Sequence, residues 1–188
     1  MKSLFIRWLD AHLWRWKRGD FGPKVFVIGY NKTGTTSVGI ALKMLGYDHS
    51  SFNHYVWRKL YKKGDIPSVL AFTSKFESFD DLPWLKEDMI PILDESFPNS
   101  KWIYLTREEE AWKTSYKRWS NKMGRKVDEN QGWKGYLKHS RFVHHYFSEH
   151  HSNFLELNVA HPNGFSILAN FLNKKAPFSE FPHENKST

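Results

Sequence analysis

Between a short apolar run and an amphipathic stretch the chain carries Gly29-Tyr30-Asn31-Lys32-Thr33-Gly34-Thr35-Thr36. Such a loop suits an anion. Glycines let backbone N–H groups turn toward one oxyanion, and the N-terminus of a following helix adds partial positive charge. Hydroxyls of Thr33, Thr35 and Thr36 can donate to its oxygens. Nucleotide hydrolases use a different pattern, with Lys directly after the second glycine and then a Ser or Thr that holds magnesium. Here Thr35 follows Gly34, and Lys32 stands two residues before that glycine. A later apolar run ends in Thr106-Arg107, where a metal-holding Asp would be needed. Both departures disfavour ATP or GTP hydrolysis. The structural alternative is a loop whose glycines serve only a tight turn.

These residues need elements to hold them. Lys24-Val25-Phe26-Val27-Ile28-Gly29, after Gly22-Pro23, reads as a buried strand. Residues 35–45 place Val38, Ala41, Leu42 and Leu45 at helical spacing before Gly46. Lys101-Trp102-Ile103-Tyr104-Leu105-Thr106 is the clearest second strand; Glu108, Glu109 and Glu110 then suit a helix N-terminus, followed by Ala111, Trp112, Ser115, Tyr116 and Trp119 at helical spacing. A third strand is expected at Phe154-Leu155-Glu156-Leu157-Asn158-Val159, after a long helix over residues 133–150, and a last helix over 165–172. Residues 47–78 show only a short helix over 56–61, ended by Gly64 and Pro67. Asp80-Asp81-Leu82-Pro83 reads as a loop, and residues 84–97 as a helix that Pro91 starts or kinks. The tail beyond Pro177 reads as an extended wrap.

Strands alternating with helices imply an α/β fold: a three-layer, P-loop-like domain with a central parallel sheet flanked by helices. Ligands in such sheets bind beyond the carboxyl ends of the strands, where Gly29 and Arg107 both fall.

A length of 188 residues fits one such domain. The expected division is residues 1–20 as an amphipathic N-terminal helix and residues 21–188 as the α/β domain. Twenty-eight Lys and Arg against 20 Asp and Glu give a net charge of +8, which favours anionic partners such as phosphates, sulfates, nucleic acid or an acidic membrane. Zero Cys excludes disulfide scaffolds, thiolate zinc sites and cysteine nucleophiles. An aromatic content of 17% supplies a packed interior and argues against a disordered basic tail. In the first segment, Leu4, Phe5, Trp8, Leu9, Leu13 and Trp16 recur at helical spacing, with Arg7, Arg15, Lys17 and Arg18 mostly elsewhere. Arg7, Asp10 and His12 interrupt what a secretory signal would need to be apolar. This helix either docks on the domain or lies in a membrane interface. The expectation is a cytoplasmic protein, and residues 1–18 are the segment through which any peripheral membrane contact would run.

Asn31-Lys32-Thr33-Gly34-Thr35-Thr36 resembles the 5′-phosphosulfate loop of sulfotransferases that use 3′-phosphoadenosine 5′-phosphosulfate (PAPS), whose core is Lys-Ser/Thr-Gly-Thr-Thr. That family's second signature is an Arg at the end of a later strand with a Ser eight positions on, and Arg107 and Ser115 have that spacing. The likeness runs over residues 24–120. A weaker echo covers the last strand, the last helix and Phe181-Pro182-His183-Glu184-Asn185, which resembles the ending of short, mainly bacterial members.

The resemblance implies sulfuryl transfer from PAPS to a hydroxyl or amine on a carbohydrate, glycolipid or other small molecule, leaving adenosine 3′,5′-bisphosphate, with no metal required. It makes Lys32 the stabiliser of the leaving 5′-phosphate. Thr35, Thr36 and the Gly34 backbone would hold that phosphate within a cofactor site formed by Asn31, Lys32, Thr33, Gly34, Thr35, Thr36 and Ser37. Arg107 and Ser115 would hold the 3′-phosphate. The family places a His or carboxylate base between its two motifs, where this chain has Asp81-Leu82-Pro83. Asp81 is thus the expected base, with Asp80 and His54 as alternates; the plainer reading is that both aspartates cap a helix near Trp84. Two features depart from the family. Ser37 stands where many members have an adenine-stacking Trp, and the basic loop that completes the 3′-phosphate site is not recognisable, although Arg125 and Lys126 could substitute.

His139, His144, His145, His150 and His151 crowd one region but lack metal-ligand spacing, so a solvated or partly buried helix face is expected. Trp112, Tyr116 and Trp119 read as core. Lys113, Lys117, Arg118, Lys122, Arg125 and Lys126 read as a field that draws in a polyanionic cofactor, and nucleic acid is not expected as a partner. Two rival functions remain: a non-catalytic, degenerate module held at a membrane surface, and a nucleotide kinase.

Overall fold

The computed structural model describes residues 23–149 and 151–182. The N-terminal helix expected over residues 1–20, His150, and the closing string from His183 onward lie outside the described residues.

Five strands form one sheet in the order β2-β3-β1-β4-β5: β1 (Val25–Val27), β2 (His49–Ser50), β3 (Ser78–Asp80), β4 (Lys101–Thr106) and β5 (Phe154–Asn158). Every neighbouring pair is parallel. β1 lies at the centre, which accounts for its unbroken apolar run, because a strand covered on both faces has no polar side. The helices are α1 (Thr35–Met44), α2 (Ile66–Thr73), α3 (Met89–Ser96), α4 (Glu109–Lys122), α5 (Glu129–Phe147) and α6 (Gly164–Phe171).

Alternation along the strands divides the core in two. Phe26, Phe79, Trp102 and Tyr104 face a layer built with α2, α3 and α5, through Val69, Leu93 and Val143 among others. Its aromatics stack along the register, with Phe26 5.4 Å from Phe79 and 4.7 Å from Trp102 between ring centroids. On the opposite face Val25, Val27, Ile103, Leu105 and Leu157 pack against α1 and α6 through Val38, Leu42, Phe165 and Leu168. The three-layer α/β architecture expected from the sequence is the one observed. No helix among the described residues is long and apolar enough to cross a membrane.

Several elements differ from the sequence reading. Two strands carry no sequence signal, because β2 has two residues, β3 has three, and neither lies in an apolar run as β1 does. Asp80, expected in a loop, is the last residue of β3. Pro67, expected to end a helix, sits in the first turn of α2 behind the Asp65 cap, whose carboxylate accepts from Ser68 N–H. The turn expected over 56–61 is a π-helical turn, Val56–Leu60, that continues into a 3₁₀ turn and stops at Gly64 (φ 71°). The helix expected from residue 84 begins at Met89, so Pro91 falls in a first turn, where its missing N–H leaves no intrahelical bond unmade.

Register positions the site. Val27 pairs with Asp80 on one side and Ile103 on the other. The loop after β1, Asp81 after β3 and Arg107 after β4 therefore leave the carboxyl edge of the sheet side by side.

Candidate active site

Side chains at the back of the loop between β1 and α1 hold it by its carbonyl groups. His139 Nε2 lies 2.7 Å from Ile28 O, Thr33 Oγ1 donates to Tyr30 O at 2.6 Å, Trp112 Nε1 to Asn31 O at 2.7 Å, and Arg107 Nη1 to Lys32 O at 2.8 Å. Each bond fixes a peptide plane, and the N–H of the same plane points the opposite way. At the start of α1 the N–H groups of Thr35, Thr36 and Ser37 have no intrahelical acceptor, and the N-cap Gly34 provides no side-chain cap. The loop therefore presents donors and turns its acceptors away, which is what an oxyanion requires.

Gly34 adopts φ 102°, and a Cβ there would lie 2.5 Å from Val159 Cγ2. Overpacking against a side chain at the end of β5 adds to the strain of a left-handed backbone. Gly34→Ala is expected to destabilise the fold by about 2–4 kcal/mol, measured by urea denaturation, and to abolish anion binding at the loop.

The sequence reading treated the three threonines alike, but the structure separates them. Thr33 is fully buried, and its hydroxyl closes the loop on Tyr30; Thr35 is partly buried and Thr36 exposed at the start of α1, with Ser37 partly buried beside them. Lys32 is half-buried with a left-handed backbone (φ 65°). Burial pushes its ammonium pKa down, and the Arg107 and Lys122 charges push the same way, while Asp81 opposes them. Arg107, also half-buried, feels Arg118. Four cations thus crowd the mouth of the loop, and an incoming polyanion would relieve their mutual repulsion.

Asp81 has φ 65°, and its Oδ1 accepts from Leu82 N–H at 2.7 Å. Burial raises its carboxyl pKa, opposed by that hydrogen bond; Asp80 raises it further and Lys32 lowers it. Asp80, one residue earlier, is 2% exposed and faces His49, with Oδ2 3.7 Å from His49 Nε2. The two adjacent carboxylates are thereby distinguished: one belongs to the buried wall and the other shares a field with Lys32. His54 is exposed on the segment after edge strand β2, against Phe52.

Along α4, Trp112, Ser115 and Trp119 recur at helical spacing on the stripe turned to the loop. Trp112 is core, as expected from the sequence. Trp119 is not: it is only partly buried, with Lys32 Nζ 5.5 Å and Arg125 Cζ 5.8 Å from its ring centroid. Lys126 is exposed. The rest of the basic cluster divides, since Lys113 pairs with Glu109 at 2.6 Å and Lys117 with Glu129 at 3.1 Å, away from the loop.

Nor do the histidines act as one face. His139 is buried and supports β1, whereas His144 is exposed and lies 2.9 Å from Glu156. Its spacing from Tyr136 and Val143, both buried on α5, is the sequence signal that could have placed His139 inside. Among the described residues no group of three or more His, Asp or Glu could hold a metal ion.

A parallel sheet with a glycine-bearing loop after its central strand and cations at the neighbouring strand end defines an α/β protein of the P-loop-like class. Residues 24–129 and 117–188 match the model of the sulfotransferase domain family, and the chain belongs to that family. Comparison with curated proteins gives no match. Among solved structures the chain is similar to a gluconokinase from Sinorhizobium meliloti 1021, with 16% identity, a TM-score of 0.46, and coverage of 82% of this chain and 98% of that one.

Proposed function

We propose that the chain transfers a sulfuryl group from PAPS to a hydroxyl or amine acceptor. The observation that supports this most is the convergence of Lys32 and Arg107 from adjacent strand ends, joined by the 2.8 Å bond from Arg107 Nη1 to Lys32 O, with Asp81 in the same field. PAPS would supply the chemistry in one displacement: the acceptor oxygen or nitrogen bonds to sulfur as the sulfur–oxygen bond to the 5′-phosphate breaks, and adenosine 3′,5′-bisphosphate leaves. The chain's residues bind, hold charge and move a proton. Loop N–H groups with Thr35 and Thr36 grip the 5′-phosphate, while the Lys32 ammonium stabilises the charge growing there. Arg107 grips the 3′-phosphate through donors other than the Nη1 bond it gives to the loop, with Ser115 beside it. The Asp81 carboxylate accepts the acceptor's proton.

Calorimetry with adenosine 3′,5′-bisphosphate in EDTA tests the donor. Binding without magnesium is expected, and failure to bind, or binding only of ATP with magnesium, would overturn the proposal in favour of a kinase. Binding without turnover of labelled PAPS on sugars, glycolipids and phenols would favour the non-catalytic module.

A further inference from the structure

We propose that Trp119 is a positioning residue for Lys32: its ring face holds the ammonium at the mouth of the loop and keeps it off the Asp81 carboxylate. The inference deepens the sulfotransfer reading and, for its functional consequence, rests on it.

The backbone of Lys32 is fixed through its carbonyl, but that bond leaves the four rotatable bonds of the side chain unconstrained. Nζ nonetheless lies 5.5 Å from the Trp119 ring centroid, within cation–π range. The ring is itself anchored. Trp119 packs on Tyr116 at 6.0 Å, Tyr116 stacks on Trp112 at 4.7 Å and 15°, and Trp112 Nε1 bonds Asn31 O at 2.7 Å. A closed circuit thus runs from the loop at Asn31, along one stripe of α4, and back to the loop at Lys32. Any movement of α4 against the loop moves the carbonyl bond and the ammonium's seat together.

The charges around Lys32 show why a seat matters. Arg107 and Lys122 repel the ammonium and Asp81 attracts it. The charges that act on Asp81 are those of Asp80 and Lys32. Without a competing site the lysine would collapse onto the aspartate, neutralising both a leaving-group stabiliser and a base. An aromatic face binds an ammonium without discharging it, so the two charges stay apart. Arg125, 5.8 Å from the same ring, contributes a second cation to this platform.

The test is titration of Asp81 by carboxyl ¹³C NMR in the free protein, in wild type, Trp119→Phe and Trp119→Leu, with circular dichroism to confirm folding. Loss of the ring brings the ammonium to the carboxylate, which lowers its pKa. The Trp119→Leu midpoint is expected below wild type, Trp119→Phe is expected to stay near wild type, and Trp119→Leu is expected to have no effect in a Lys32→Met background. An unchanged midpoint in Trp119→Leu, or an equal shift in Trp119→Phe, would sink the proposal. In turnover, Trp119→Leu is expected to lower kcat about tenfold with the Kd for adenosine 3′,5′-bisphosphate within about twofold, and to shift the acid limb of the pH profile downward. The NMR result stands whether or not PAPS is the donor. Failure of the wild type to bind the bisphosphate would instead count against the sulfotransfer reading alone.

Discussion

Lys32→Ala is expected to lower kcat by about 10²–10³-fold, the usual cost of removing one preorganised donor to a developing oxyanion, while the Kd for adenosine 3′,5′-bisphosphate rises by less than about tenfold. The separation follows from when the charge is needed. Cations at Arg107, Arg118 and Lys122 remain to attract a bound polyanion, but none of them carries an ammonium on the loop itself. Folding is expected to survive: alanine keeps the left-handed backbone of residue 32 no worse than lysine does, and the carbonyl that accepts from Arg107 is retained. Arg107→Ala is the contrasting variant. It removes the proposed phosphate clamp and one of the loop's four carbonyl ties, so its main effect should be a cofactor affinity about 10–100-fold weaker. Labelled-PAPS turnover and calorimetry on both variants would decide the matter; equal, mild effects on kcat and Kd would contradict the assignments.

How much of this was legible beforehand depends on the element. β1, three residues long, lies inside the apolar run Val25-Phe26-Val27-Ile28 that ends in a glycine loop, and β4 is a six-residue run that ends before Arg107, so a sequence pattern can show both. β2 and β3 are too short to carry a period, so the register that sets Asp81 beside Lys32 could not be read. Side-chain direction was the other gap. Thr33 and Thr35 look alike in sequence, yet the first turns inward to Tyr30, while the second begins α1. Trp112 and Trp119 both fit an apolar stripe, and only the position of α4 against the loop makes one core and the other a seat for a cation. Asp80 and Asp81 are neighbours that a strand end sends in different directions. Periodicity finds faces, whereas function here depends on which face meets the loop.

Asp81→Asn is expected to separate activity from stability. In the proposed role of base, Asp81 would be worth about 10²–10⁴ in kcat/KM, since an amide cannot take the acceptor's proton. The amide should nevertheless fit, since Asn tolerates φ 65° as readily as Asp, and its carbonyl oxygen can still accept from Leu82 N–H. The stability effect has the opposite sign. Burial raises the native carboxyl pKa, so the folded state binds the proton more tightly than the unfolded chain does. Stability from this group is fully present below its unfolded pKa and is lost as pH rises through the raised native one. Above that raised pKa the wild type holds a carboxylate whose charged form the fold disfavours, and the uncharged amide relieves it. In paired urea titrations the variant should be the more stable protein at pH 7, with its advantage shrinking as the pH is brought down through the carboxylate range. A variant less stable at pH 7 would mean that the attraction to Lys32 outweighs burial, and that Asp81 is a structural ion-pair partner and not a base held ready for a substrate.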